Sequence, residues 1–191
     1  MIEKYGDFLK ISSIINIRHV PRTGWVLRGV PPAVAETISD HIFLVTLLSL
    51  KISEDLRERG FEVDVAKTLT MSLVHDLPEA VTGDIVRYVK EEEPSYFKII
   101  EEKSLESLGM GKYIPLYKDF EERKSLESII VKLSDYLATI IEGRRLVALG
   151  YRDVEEIVEN MENLIKNILK SLTNIQLRDA LEKTVIDVLK N

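Results

Sequence analysis

The spacing of apolar residues constrains the fold of this chain more than any other feature of its sequence. In several long segments these residues recur at intervals of three and four, which is the period of a helix with one buried face. The clearest stripe ends near Gly60 and consists of Ile38, Ile42, Val45, Leu48, Ile52 and Leu56. No segment alternates apolar and polar residues between turn residues, as a half-buried strand would. We therefore expect an all-α fold.

Helix boundaries and later stripes extend this pattern to the C-terminus. Asp64 is a candidate N-cap, and Pro94 suits the first turn of a helix that continues to about Leu108. Three further stripes are Ile130, Leu133, Leu137 and Ile140; Ile157, Met161, Leu164 and Ile168; and Leu177, Leu181, Val185 and Val188. The second of these is narrow enough for a seam between two helices, either within the chain or in a homodimer.

Composition limits the classes of protein to which the chain can belong. The net charge of −6 disfavours a nucleic-acid coat, because binding to phosphates needs clustered Lys and Arg. The absence of cysteine excludes disulfides, thiolate nucleophiles and zinc fingers. Met1–Asp7 is too acidic for a signal peptide, and no apolar stretch approaches the ~20 residues that cross a bilayer. We therefore expect a soluble cytoplasmic protein without a membrane or a nucleic-acid polymer as partner.

Residues 16–34 interrupt the helical pattern. They contain several prolines and glycines, which break regular helices, together with Arg18, Arg22 and Arg28. We expect a long loop that carries three cations. Without further motifs, the simplest interpretation of these cations is a solvated loop that aids solubility.

Candidate chemistry concentrates in two of the three histidines and in a few carboxylates. His41 lies one turn before Val45 in the first stripe and therefore faces inward. Leu69, Leu73 and Asp76 are spaced four and three apart, which predicts that the Asp76 carboxylate lies on an apolar face. Burial of an unpaired carboxylate is costly, so Asp76 must be paired, protonated or bound to a metal.

Further polar residues add to this candidate site. Glu79 follows His75 by four residues, which places the two on one face if the helix continues through Pro78. Asp135 lies on a face of small residues in a later helix. Two imidazoles and two carboxylates suit one divalent transition metal ion, such as Mn, Co, Fe, Ni or Zn. Each residue also has a plainer interpretation, because the histidines could be hydrogen-bonded core residues and Asp135 could pair with Lys132.

Three motifs occur in the order H, HD, D. The string LVHDLPEAVTGD over residues 73–84 resembles the second signature of the HD-domain metal-dependent phosphohydrolases. ISDH over 38–41 resembles the segment with the first histidine of that superfamily, and KLSD over 132–135 resembles its final aspartate. PRTGWVLRGV over 21–30 resembles the segment that precedes the first histidine in 5′-deoxynucleotidases of the same superfamily.

This resemblance covers about residues 18–140 and implies both a fold and a site. The fold would be one compact helical bundle of the HD-domain type over residues 1–191, with helices in 153–190 packing on the motif-bearing core. The implied metal ligands are His41, His75, Asp76 and Asp135. The implied catalytic residues are Glu79 and Asp84, and the implied substrate-binding residues are Arg22, Arg28 and Trp25.

The resemblance also implies an activity, which is hydrolysis of a small nucleotide, a deoxynucleoside 5′-monophosphate, to deoxynucleoside and phosphate. Glu79 or Asp84 could exchange a proton with water or with the leaving 5′-oxygen, and helical spacing favours Glu79. Two alternatives use the same residues. One is a dNTP triphosphohydrolase or cyclic-nucleotide phosphodiesterase, and the other is a helical module that binds a nucleotide without turnover.

Overall fold

The computed structural model describes residues 12–190, and this part of the chain is a bundle of α-helices without a β-strand. In chain order the helices are α1 (Thr23–Val26), α2 (Ile38–Glu58), α3 (Val65–Val74), α4 (Glu79–Thr82), α5 (Arg87–Glu92), α6 (Pro94–Ser107), α7 (Ile114–Glu122), α8 (Leu126–Ala148), α9 (Glu155–Ser171) and α10 (Ile175–Lys190). The predicted all-α class is confirmed. Met1–Asp7, for which the sequence predicts no signal peptide, lies outside the described residues.

Helix α8 lies at the centre of the bundle. It packs against α2 and α3 on one side and against α9 on another. Its predicted apolar stripe is fully buried, as is most of the stripe on α2. Gly143 does not end this helix, which continues to Ala148, before Gly150. The two longest helices therefore form the contact around which the other elements are arranged.

Polar side chains fix where the long helices begin. The Thr37 hydroxyl accepts from the Asp40 backbone N–H, and the Asp40 carboxylate accepts from the Thr37 backbone N–H, which is a capping box for α2. Ser125 and Ser128 form the equivalent box for α8. The predicted N-cap Asp64 accepts from the Lys67 backbone N–H at 2.9 Å.

The buried face of α3 differs from the sequence-based prediction. Leu73 is 53% exposed and Leu69 is only partly buried, so the prediction that they mark the inner face is wrong. The buried residues of α3 are Thr68, Met71, Ser72 and Val74. Two of these residues carry hydroxyl groups, and the Ser72 Oγ donates to Thr46 Oγ1 of α2 at 3.2 Å. Because these side chains are polar, the hydrophobic pattern pointed to the opposite face of the helix.

The segment after α3 tightens from an α-helix into successive three-residue turns. Pro78 has no backbone N–H and disfavours a helical conformation in the residue before it, so the α-helix ends at Val74. The backbone N–H groups of Leu77 and Glu79 instead bond to carbonyls three residues back. Val74 and Leu77 anchor this turn in a second apolar cluster beneath α6 and α7.

The C-terminal helices α9 and α10 pack within the chain. Helix α9 packs on α8, and in its predicted stripe Ile168 is buried while Ile157, Met161 and Leu164 are partly buried against the main apolar core, next to the buried Val158 and Ile165. The narrow seam that the sequence predicts is therefore a contact inside this chain. Helix α10 packs against α2, α8 and α9, and its buried residues are Ala180, Leu181, Thr184 and Val185.

Residues 16–34 are more regular than predicted. They include most of a 3₁₀ helix at Ile15–Arg18 and the short helix α1, and an isolated β-bridge joins Pro21 to Thr37. The backbone N–H of Arg22 donates to the Glu36 carbonyl at 2.9 Å. These bonds hold the turn that contains Arg22 against the start of α2. No helix in the described part of the chain is long and apolar enough to span a membrane.

Candidate metal centre

Three separate elements bring two histidines and an aspartate together. His41 comes from α2, His75 from the turn after α3, and Asp135 from α8. One possible ligand atom from each lies within 4.8 Å of the others. Both histidines are buried, with exposures of 0% and 3%. We call these three residues and the adjacent Asp76 the central cluster.

The hydrogen bonds of His75 determine its tautomer. Its Nδ1 lies 2.7 Å from the carbonyl oxygen of Ser72, and a carbonyl can only accept, so Nδ1 carries the proton. When the ring is neutral, Nε2 therefore carries the lone pair. This buried atom has no hydrogen-bond partner, and it lies 3.4 Å from Oδ2 of Asp76. A lone pair directed inward while the other nitrogen bonds a backbone carbonyl is the usual arrangement of a metal-binding histidine.

His41 lies between two carboxylates. Its Nε2 is 3.1 Å from Oδ1 of Asp135, and its Nδ1 is 3.6 Å from Oε1 of Glu36. Burial and the nearby Arg22 lower the pKa of His41, but the hydrogen bond with Asp135 and the nearby Glu36 carboxylate raise it to about 9 in the absence of a metal ion, and a metal bound at Nε2 would displace that proton. The two ring nitrogens thus have different roles, because Nε2 faces the central cluster and Nδ1 faces away from it.

The two aspartates of the central cluster each have a cationic partner. The Arg22 guanidinium donates to Oδ2 of Asp76 at 2.8 Å, and Lys132 Nζ lies 3.2 Å from Oδ2 of Asp135. Burial opposes ionisation of Asp76, but His75 and Arg22 hold its pKa well below the usual range. Burial likewise opposes ionisation of Asp135, whose pKa is lowered by Lys132 and His41. Both carboxylates are therefore ionised acceptors at neutral pH.

This set of donor atoms fits a divalent metal ion. It offers an imidazole lone pair without a hydrogen-bond partner, a second imidazole nitrogen and two ionised carboxylates, all on elements with fixed positions. Mixed nitrogen and oxygen donors suit a borderline divalent transition metal. The pairing of Asp135 with Lys132, the plainer alternative from the sequence, is also present. The two interpretations are compatible because only Oδ2 of Asp135 contacts the lysine.

Glu79 lies next to the central cluster, although the α-helix does not continue through Pro78. Its backbone N–H donates to the carbonyl of Asp76 at 3.1 Å, so the tight turn brings its side chain into the same region. Oε1 contacts Lys90 Nζ at 3.3 Å, and the buried Oε2 has no hydrogen-bond partner. Burial and the charge of Asp76 raise the pKa of Glu79 well above its ordinary value.

Asp84 connects this turn to the loop that bears Arg22. Its carboxylate accepts a short hydrogen bond from the Thr23 backbone N–H, and the Thr23 hydroxyl donates to the Asp84 carbonyl at 2.7 Å. Gly83 precedes it with a φ of 72°, a left-handed conformation that ends α4 and favours glycine. The contacts of Asp84 therefore hold Arg22 close to Asp76.

The other two predicted substrate residues have different environments. Trp25 is 2% exposed and packs in the main apolar core, and its indole N–H donates to Oε1 of Glu36 at 3.1 Å. Arg28 does not join the central cluster. Its guanidinium donates to Glu156 on α9 at 2.9 Å, in an exposed ion pair. Of the two predicted arginines, only Arg22 therefore contacts the central cluster in the structure.

Sequence reasoning missed two polar residues near the site. Glu36 contacts both His41 and Trp25, and Lys90 contacts Glu79. Glu36 precedes α2 in a loop, and Lys90 belongs to a helix with no buried residue, so neither lies in an apolar stripe. The only available signal was the proximity of Glu36 to the ISDH motif.

Comparison with known proteins gives the family. A family model described as HD domain matches residues 14–176 of this chain. The chain belongs to the HD domain family. This finding confirms the resemblance that the three motifs suggested.

Relatives of this HD-domain chain carry the name of an enzyme. The protein named 5′-deoxynucleotidase HDDC2 from Dictyostelium discoideum is 33% identical over 150 residues, covering 74% of this chain and 77% of that protein. The protein of the same name from Homo sapiens is 30% identical over 156 residues, covering 78% and 69% respectively.

A solved structure has the same architecture. The PH0347 protein from Pyrococcus horikoshii OT3 matches with a TM-score of 0.79 and 29% sequence identity, over 98% of each chain. The helical bundle implied by the motifs is thus confirmed.

Proposed function

We propose that this HD-domain chain hydrolyses deoxynucleoside 5′-monophosphates to a deoxynucleoside and phosphate, with one divalent transition metal ion as cofactor. The observation that carries the proposal is the buried central cluster, in which Nε2 of His75 lacks a hydrogen-bond partner beside two ionised carboxylates and Arg22. Relatives named 5′-deoxynucleotidase support the choice of substrate.

The proposed ligands are His41, His75, Asp76 and Asp135. When bound, the ion would polarise a phosphoryl oxygen and lower the pKa of a bound water towards neutrality. Ser72 supports the His75 imidazole through the hydrogen bond to its Nδ1, and the Glu36 carboxylate lies 3.6 Å from Nδ1 of His41, the atom that faces away from the central cluster. Such supporting contacts fix the tautomer and the orientation of metal-binding histidines.

Arg22 is the proposed phosphate-binding residue. Its guanidinium has several donors, of which NH1 bonds to Asp76, and although burial lowers the pKa of Arg22, the Asp76 carboxylate raises it and keeps the group charged. A planar guanidinium can bind two phosphate oxygens at once and offset the charge of the dianion. Asp84 positions Arg22 through its bonds to Thr23, the next residue in the chain.

Glu79 is the proposed proton carrier. Breaking the bond between phosphorus and the 5′-oxygen leaves an alkoxide that needs a proton, and the attacking water has a proton to release. A carboxyl group with a raised pKa can exchange protons near neutral pH. The buried Oε2 of Glu79 has no hydrogen-bond partner and is therefore available for this exchange.

Four further proposals concern the domain, its location, Trp25 and the oligomeric state, and none of them enters the chemical step. We propose one HD domain over residues 1–191, a cytoplasmic location, and a sugar contact for Trp25, which requires the buried indole to become accessible when the substrate binds. We also propose a homodimer, and the exposed apolar face of α2 is its candidate surface. That face contains Phe43 at 66% exposure, Leu47 at 47% and Leu50 at 38%. Light scattering of the wild type and of Phe43→Ser would test the homodimer.

Phosphate release after metal removal tests the proposed function. Chelated protein should release no phosphate from deoxynucleoside monophosphates, and adding back one divalent transition metal at a time should restore the activity. Ribonucleotides, dNTPs and cyclic nucleotides belong in the same screen. Pyrophosphate or triphosphate release from dNTPs would favour the triphosphohydrolase, and phosphodiester opening would favour the phosphodiesterase. Nucleotide binding without product under any metal would leave the non-catalytic module.

A further inference from the structure

Lys90 lies between two buried carboxylates that come from different helices. Its Nζ is 3.3 Å from Oε1 of Glu79 and 2.9 Å from Oε1 of Glu101. The Glu79 and Glu101 side chains are only 5% and 10% exposed. Because burial of an ionised carboxylate is costly, a shared ammonium is a strong constraint on the position of both groups.

Tyr117 holds Glu101, the second carboxylate that contacts Lys90. Its hydroxyl donates to Oε2 of Glu101 at 2.6 Å, inside the second apolar cluster. Both oxygens of Glu101 therefore have a partner, one on α7 and one on α5. Glu101 has a fixed position on α6 and can act as a rigid support for Lys90.

Helix α5 itself has little other attachment. It contains no buried residue, and large apolar side chains such as Tyr88 and Val89 are exposed. Arg87 adds a long contact of 3.4 Å to the Tyr136 hydroxyl. Lys90 is the residue of α5 that contacts the buried carboxylates of Glu79 and Glu101.

The contact with Lys90 makes the two oxygens of Glu79 different. Oε1 is held by the ammonium, whereas the buried Oε2 has no hydrogen-bond partner. A carboxylate held by one oxygen has a restricted rotation, so the other oxygen has a defined direction. Proton transfer is sensitive to that direction because the reacting atoms must be within hydrogen-bond reach.

We propose that Lys90 is a positioning residue, which holds Oε1 of Glu79 so that Oε2 stays free to exchange a proton during phosphate-ester hydrolysis. Glu101 and Tyr117 hold Lys90 in place. This inference rests on the proposed function, in which Glu79 is the proton carrier. The competing explanation is purely structural, in which Lys90 only neutralises Glu101 and attaches α5.

Kinetics of two substitutions at Lys90 separate these explanations. With a deoxynucleoside monophosphate that the wild type hydrolyses, Lys90→Met should lower kcat by about 10- to 100-fold, the scale expected for a misplaced catalytic group. KM should stay within about twofold, since the phosphate contacts of Arg22 are unchanged. Lys90→Arg keeps a cation in reach of Oε1 and should recover most of kcat. Lys98→Met is the matched control, because Lys98 forms an exposed pair with Glu122 and should retain wild-type kinetics.

Two further variants keep the test valid if Lys90→Met is unstable. In Lys90→Met combined with Glu101→Gln, residue 101 no longer carries a buried charge without a partner. The kcat of this double variant should fall as far as that of Lys90→Met. In a Glu79→Gln background, Lys90→Met should lower kcat no further, because Lys90 acts through Glu79. An additive loss in that background would overturn the positioning role, as would wild-type kcat in a folded Lys90→Met.

The failures of the two proposals are distinguishable. If the wild type hydrolyses deoxynucleoside monophosphates but Lys90→Met does so equally well, the role of Lys90 is refuted and the proposed function stands. If the wild type with metal releases no phosphate from any of them, the proposed function fails and the role of Lys90 fails with it.

Discussion

The two sides of helix α8 bury different kinds of residues. On the side of α2 and α3, Asp135 joins the central cluster, where ionised groups are buried against one another. On the side of α9, Gly143 meets the apolar side chains of Val154 and Val158. We call the contacts of α8 with α9 and α10 the C-terminal layer. The comparison indicates that the site is where buried charge concentrates, whereas the C-terminal layer stabilises the helix that carries it.

The energetic consequence of this difference is that the two regions respond differently to mutation. Buried ionic groups stabilise a fold little, because desolvation cancels most of their attraction. Buried apolar groups contribute roughly 25 cal/mol for each Å² removed from water. We therefore expect substitutions in the central cluster to change activity, and also stability where they leave a buried charge unpaired, whereas substitutions in the C-terminal layer should change stability alone.

The largest effect is expected for Asp135→Ala in the central cluster. Loss of this carboxylate should lower phosphate release about 1,000-fold or more, since the metal is expected to supply at least ~4 kcal/mol of transition-state stabilisation. Metal content per chain, measured by elemental analysis, should fall together with the activity.

Asp153→Asn is the control for Asp135→Ala, because Asp153 is an exposed aspartate next to α9. It should retain both metal and turnover. Full metal content with full activity in Asp135→Ala would remove this residue from the site.

The next effect is expected in the C-terminal layer, for Leu181→Ala. Leu181 is fully buried on α10, and truncation of a buried leucine costs about 2–5 kcal/mol. Urea denaturation should show this loss of unfolding free energy. The kcat of the folded fraction should be unchanged, and a matching loss of kcat at low temperature would show that the two regions are coupled.

Long helices were the part of the fold that the sequence could predict. The stripes on α2 and α8 are apolar throughout and are buried as expected. The prediction for α3 was wrong because that helix buries Thr68 and Ser72, which no hydrophobic pattern reports. Asp76 still lies at the site, but the tight turn before Pro78 places it there rather than an apolar stripe.

The candidate site was predictable only where residues lie in motifs. His41, His75 and Asp135 come together from three elements, and the HD-domain resemblance supplied that combination. Lys90 follows Glu79 by eleven residues across an irregular segment, so no periodicity connects the two. The different positions of Arg22 and Arg28 also depend on long-range partners, which are Asp76 and Glu156.

A smaller effect on stability is expected for Gly143→Ala. A Cβ at this position would lie 2.5 Å from Cγ2 of Val158, so α9 must shift away from α8. Overpacking of this kind costs about 1–3 kcal/mol, and thermal unfolding would measure it. Adding Val158→Ala should recover part of the loss by removing the clashing methyl group.

Gly111→Ala is the control for this clash. A Cβ there meets the Glu106 side chain at an ordinary 3.5 Å, so the midpoint of unfolding should change less. An equal loss in both glycine variants would mean that the contact with α9 is not responsible, because the reduced backbone freedom of the unfolded chain would raise stability instead.

The smallest effect is expected for Arg28→Ala, which tests the boundary between the two regions. Arg28 shares a loop with Arg22, but its partner is Glu156 in the C-terminal layer, with side-chain exposures of 32% and 64%. Exposed ion pairs contribute about 0.2–1 kcal/mol, so stability should fall slightly and kcat/KM should stay within about twofold.

Arg22→Ala, assayed in parallel, should lower kcat/KM by about 10- to 100-fold, because it removes a charge-assisted contact to phosphate. If Arg28→Ala lowered kcat/KM as much as Arg22→Ala, both arginines would lie at the phosphate. Glu156→Gln, which releases Arg28, should then increase the affinity for the nucleotide.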